Sequence, residues 1–145
     1  MFKQLTYAMV LSASLATSGI AFSNNEVNTA QLEAVITAKI VATAKESESI
    51  EDMMKTIHSS SPISLETRTQ MEQIFPVMDA NTSLTEFIFI GKSGDYAIAK
   101  IKEKIEKVSG PPQFKSQESE QLIVFKQEAG QWKIWQATML DVKYL

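Results

Sequence analysis

The apolar residues change period near Thr82, and that change limits the fold more than any short motif does. Upstream, Leu32, Val35, Ile36, Ile40 and Ala44 recur at three- and four-residue steps, the spacing of one helix face, in a segment rich in Ala, Glu, Lys and Gln. Downstream, Phe, Ile, Val and Trp replace Ala and Met, and the pattern becomes extended. A chain of 145 residues with helices first and strands after has room for one α+β domain.

The spacing predicts a first helix over Thr29 to Lys45. Ser49, with Asp52 three residues on, signals the cap of a second helix carrying Ile50, Met53, Met54 and Ile57. A third runs from Ser64 to near Pro76, after the Ser59-Ser60-Ser61-Pro62 break. Four strands follow, Leu84 to Ile90, Tyr96 to Val108, Gln121 to Gln127 and Trp132 to Tyr144, and the short Gly91–Gly94 and Ala129-Gly130 links make the order a meander. A two-residue turn at Ala129-Gly130 sets Phe125 opposite Ile134 and Val124 opposite Trp135. The Gly91–Gly94 loop, without a bulge, sets Phe89 opposite Tyr96 and Ile88 opposite Ala97. Both sheet faces are then apolar, so two coverings are expected, helices on one and something else on the other.

Residues 1–23 have the parts of a secretory signal: Lys3, an apolar run from Leu5 to Ile20, and small residues at Ala21 and Ser23. The expected product is one domain over residues 24–145, periplasmic or secreted, with no membrane span after cleavage. Removing Lys3 changes 14 basic and 17 acidic residues to 13 and 17, a net charge of −4. An acidic chain of this kind is a poor phosphate-backbone binder, which excludes nucleic acid as an expected partner. The sequence has no cysteine, so packing alone must hold the exported domain together.

Few motifs carry chemistry. Gly91-Lys92-Ser93 has the end of a phosphate loop, but Glu86 stands where that motif needs its first glycine. With one histidine and no cysteine, no metal site or cofactor is expected. Lys100, Lys102 and Lys104 share one side of the second strand, with Glu103 opposite, and read as a solvated strand end. Two residues are candidate acid/base catalysts. His58 is the chain's one imidazole, the side chain most used as a general base, although a position at the end of the second helix also suits it for structural reasons. Asp141 shares an apolar face with Trp135, Ala137 and Met139 if the last strand is unbroken, where burial would raise its pKa.

Three helices, a four-strand meander and the ending Gly130-Gln131-Trp132-Lys133-Ile134-Trp135 give a chain that resembles the nuclear transport factor 2-like superfamily, also called SnoaL-like or ketosteroid-isomerase-like. The resemblance implies a cone, with helices packed in the concave face of a curved antiparallel sheet and a pocket at its open end. It also implies a homodimer through the outer sheet face. The tyrosine donor of ketosteroid-isomerase-like sites has no counterpart, since Tyr7, within the signal, is the only tyrosine in the first half. The expected function is therefore binding of a small apolar or amphipathic ligand, or of a protein partner, without catalytic machinery, with Trp135, Met139 and Phe87 as ligand-binding residues. The alternative is a lyase or isomerase using Asp141 or His58.

Overall fold

The structure is a computed structural model that describes residues 28–43 and 49–145. The expected signal sequence and the expected end of the first helix at Lys45 lie outside the described residues. Helix α1 spans Thr29–Ala42, α2 Ile50–Met54 and α3 Ser64–Ile74. Strands β1 (Asp79–Ser93), β2 (Tyr96–Ser109), β3 (Gln117–Glu128) and β4 (Gln131–Tyr144) form one antiparallel sheet in sequence order. No described helix is long and apolar enough to cross a membrane.

Each helix start has a local cause. The Asn28 side chain accepts from the Ala30 N–H at 3.1 Å, and the Ser49 hydroxyl accepts from the Asp52 N–H at 3.2 Å, the cap expected from the sequence. Helix α3 has no side-chain cap and no buried residue. Ser61 takes part in the turn before it, accepting from the Ile63 N–H and donating to the Trp135 carbonyl.

β1 and β3 are longer than their apolar runs predicted, because β1 begins at Asp79 and β3 at Gln117. Polar residues continue a strand wherever a neighbour completes the ladder. The β3–β4 turn is the expected Ala129-Gly130 pair, both at positive φ, which suits a tight hairpin. The β1–β2 register differs from expectation. The turn is Gly94-Asp95, which sets Ser93 opposite Tyr96, Phe89 opposite Ala99 and Ile88 opposite Lys100, with bulges between Leu84 and Glu86 and between Phe89 and Gly91. The Gly91–Gly94 stretch supplies strand as well as turn.

Pairing and burial divide the sheet into two faces. The inner face, beneath α1, carries Phe87, Ile101, Gln121 and Met139 in one cross-strand row and Leu84, Glu103, Ser119 and Val142 in the next. Its apolar part, with Ala97, Ala99, Ile101, Ile123, Phe125 and Ile134, forms the core together with Leu32 and Ile36 of α1. Burying each larger aliphatic side chain there contributes about 1.5–3 kcal/mol.

The outer face is apolar over only part of its area, where Ile88, Ile98 and Val124 lie. The rest is a lattice of ion pairs: Lys100 with Glu120 at 3.3 Å, Lys102 with Glu86 at 2.8 Å, and Lys104 with Glu106 at 2.8 Å. The lysine row is thus solvated, as read from the sequence, and Glu103 is on the other face.

Candidate functional site

A groove of about 610 Å³ runs between α1, α2 and the β3–β4 hairpin. Its walls are Ala34, Val35, Ala38 and Val41 of α1 with Trp132 of β4, and Asp52, Lys55 and Lys133 supply charge at its edge. The groove exists because α1 turns its Leu32–Ile36 stripe to the sheet and leaves smaller side chains on the flank. Its volume and apolar lining are those of a small-molecule site.

The sequence-derived candidates do not come together. Phe87 and Met139 share the inner face and one row but lie on opposite edge strands, with Ile101 and Gln121 between them, Phe87 packed against the core and Met139 50% exposed. Trp135 is elsewhere. It is the extra residue of a bulge in β4, so Val124 pairs with Gln136 and not with Trp135. Its ring lies with Tyr96 at 6.1 Å and beneath the Lys126 ammonium at 4.4 Å, both outer-face residues.

His58 is buried beside Trp135, ring centroids 5.1 Å apart at 84°. Its Nδ1 accepts from the Ser60 N–H at 3.0 Å, and the His58 backbone N–H donates to the Ile134 carbonyl at 2.9 Å. These bonds fasten the α2–α3 connection to the edge of β4, a different structural role from the helix-end position read from the sequence.

Asp141 does not share a face with Ala137 and Met139. A second bulge, at Leu140, turns it outward opposite Glu120, where it is exposed. Trp135 lies beside the Val124–Phe125 step of β3 and Asp141 opposite Glu120, roughly 15 Å along the strand, too far for His58 and Asp141 to act together on one small substrate.

The inner face holds a polar cluster that the sequence reading passed over. Glu103 is 4% exposed. Its Oε2 accepts from the Gln121 side-chain amide at 3.1 Å, and the same amide donates to Ser119 Oγ at 3.1 Å. Its Oε1 accepts no hydrogen bond, and Lys39 Nζ of α1 stands 3.8 Å away. The signal was present: Glu103 follows Ile101 by two residues and so shares its face. The described residues include no cluster of three or more His, Cys, Asp or Glu placed to hold a metal ion.

Three solved structures share this architecture. A candidate aromatic ring hydroxylase from Novosphingobium aromaticivorans matches with a TM-score of 0.64 and 15% identity, over 79% of this chain and 90% of that one. A cystatin-like-fold protein of unknown function from Nostoc punctiforme gives 0.63 and 11%, over 80% and 91%. A nuclear transport factor 2-like protein of unknown function from Shewanella oneidensis gives 0.59 and 10%, over 79% and 100%. No curated protein matches the chain.

Helices laid in the inner face of a curved four-strand meander are the fold that these cystatin-like and nuclear transport factor 2-like structures share, a cone. Residues 34–145 match the family of the anti-sigma-I factor RsgI9 C-terminal domain, and the chain belongs to that family.

Proposed function

We propose that the chain is an exported, non-catalytic binding domain that holds a small apolar or amphipathic molecule between α1, α2 and the β3–β4 hairpin. The groove of about 610 Å³ with its Ala34, Val35, Ala38 and Trp132 lining carries this reading. Family membership is compatible with it, because the namesake domain is the C-terminal domain of an anti-sigma factor. The lyase or isomerase alternative needs Asp141 or His58 in a pocket, whereas Asp141 is exposed opposite Glu120 and neither residue lines the groove.

The test is uptake of an environment-sensitive apolar dye by the folded chain, beside the variant Ala38→Trp. Ala38 is exposed and lies in the groove wall, so tryptophan there fills the groove and leaves the core intact. Saturable uptake by the parent that Ala38→Trp removes, at an unchanged melting temperature, supports the proposal; uptake equal in both, or none in the parent, rejects it.

Export and pairing are further parts of the proposal. The Lys3, Leu5–Ile20 and Ala21–Ser23 pattern supports cleavage after Ser23; N-terminal sequencing of exported protein that returned Met1 would contradict it. The apolar patch around Ile88, Ile98 and Val124 supports a homodimer through the outer sheet face. Light scattering that found a monomer at micromolar concentration would rule that out.

A further inference from the structure

Two like-charge pairs stand on the outer face of the β3–β4 ribbon. Lys126 is directly opposite Lys133 near the hairpin, and Glu120 is directly opposite Asp141 toward the other end. Like charges directly opposite one another destabilise a sheet, so each pair needs answering charge. The chain supplies half of it. Glu128 reaches Lys133 at 3.2 Å and Lys100 reaches Glu120 at 3.3 Å, whereas Lys126 and Asp141 take part in no ion pair among the described residues. The Lys126 ammonium is held 4.4 Å over the Trp135 ring and 5.1 Å over that of Tyr96, a contact that fixes its place and leaves its charge uncancelled. Asp141 is exposed.

Between the two pairs the face is apolar. Val124 and Leu122 are the outer-facing residues of β3 between Lys126 and Glu120, and Ile98 of β2 is directly opposite Val124. Lys126 and Glu120 are about 20 Å apart along the strand, with the two apolar residues astride the midpoint. A positive pair, an apolar middle and a negative pair at equal spacing form a self-complementary set. A second copy turned end for end, about a two-fold axis that crosses the strands at this midpoint, lays Lys126 and Lys133 on the partner's Glu120 and Asp141, and Val124 on the partner's Leu122.

We infer that the outer face takes a second copy of this chain in that one orientation, β3 running antiparallel to the partner's β3, and that Lys126 and Asp141 are the residues that set it. This orientation rests on the outer-face pairing proposed above and adds the register to it. Sheets packed face to face keep their strand directions within about 30° of one another, so the choice lies between an axis across the strands and one along them. An axis along the strands brings each lysine pair onto the partner's lysine pair and each acidic pair onto its own copy. That juxtaposition is costly, whereas the end-for-end arrangement answers all four groups at once.

Lys126→Glu and Asp141→Lys test it, with the dimer dissociation constant of the full chain read by analytical ultracentrifugation. Within one chain each substitution turns a like-charge pair into an opposite-charge pair, so neither is expected to lower the melting temperature. Across the interface each removes the charge match at both ends, and the dissociation constant is expected to rise at least about tenfold. An equal mixture of the two variants forms a heterodimer tighter than either variant's own dimer, because one end keeps the parent's charges and the other has them exchanged. Unchanged constants in both variants, a tighter dimer in Lys126→Glu alone, or a mixture no tighter than its components overturns the orientation and leaves an outer-face dimer standing. A parent chain that is monomeric at micromolar concentration overturns the pairing and the orientation together. Should a variant fail to fold, the parent decides by salt: matched charges are screened, so its dimer weakens as salt rises, and a dimer that salt leaves unchanged or tightens overturns the orientation.

Discussion

Ile57 and Ile134 are joined by a parallel β-bridge that fastens the helical half of the domain to the edge of the sheet. The His58 N–H donates to the Ile134 carbonyl at 2.9 Å, and the Ile134 N–H donates to the Thr56 carbonyl at 2.8 Å. Both isoleucines are buried, at 4% and 3% exposure, so the bridge is sealed by the apolar contact around it. Ile134→Ala is expected to destabilise the domain by about 2–5 kcal/mol, the range for truncating a buried isoleucine. Urea denaturation measures it, and a loss below about 1 kcal/mol would show that the edge is not held by this contact.

Glycine substitutions should separate two turns. Gly110 has a φ of 137°, and a Cβ there would meet the Val77 carbonyl oxygen at 3.0 Å. Gly130 has a φ of 77° with open space around it. Alanine at 130 meets backbone strain alone, about 1–2 kcal/mol, while alanine at 110 adds a clash and should cost more. Equal losses in the two melting curves would contradict the close approach at Gly110.

The Glu128 carboxyl is held down to about 2, first by the Ser59 hydroxyl and then, against some desolvation, by Lys133 at 3.2 Å. A depressed carboxylate contributes stability that is fully present above the unfolded value of 4.5 and lost as pH falls toward 2. The melting-temperature gap between the parent and Glu128→Gln should therefore narrow from pH 6 to pH 2. A gap independent of pH would show that the carboxylate charge has no part in holding Ser59.

Asp141 stands directly opposite Glu120 on the outer face, a like-charge pair. Asp141→Lys converts it to an opposite-charge pair and should stabilise the fold by about 0.2–1 kcal/mol, less at high salt. The proton-transfer role, the alternative reading of the sequence, makes a different prediction, loss of a reaction without gain of stability, so denaturation of this one variant distinguishes the two.

The chemistry of short segments was legible in the sequence. Ser49 and its N–H partner at Asp52, the Ala129-Gly130 turn, the pairing of Phe125 with Ile134 and the Leu32–Ile36 stripe depend on local geometry and on periods that a side chain cannot escape. The α+β class was legible for the same reason, since a helical half followed by a meander has few ways to bury its apolar faces, and the cone followed from the family resemblance.

Tertiary structure decided the position of each polar group, because a bulge shifts everything beyond it by one residue. The bulges at Trp135 and Leu140 carry no mark in composition, yet they place Trp135 against His58 and turn Asp141 out to Glu120. Glu103 shows the converse. Its strand parity was readable, but its burial depends on α1 bringing Lys39 across the sheet and on β3 offering Gln121, contacts between residues far apart in the chain. By itself the sequence determined the period of each segment, and so the class of fold. Packing between segments determined which carboxylate lies inside.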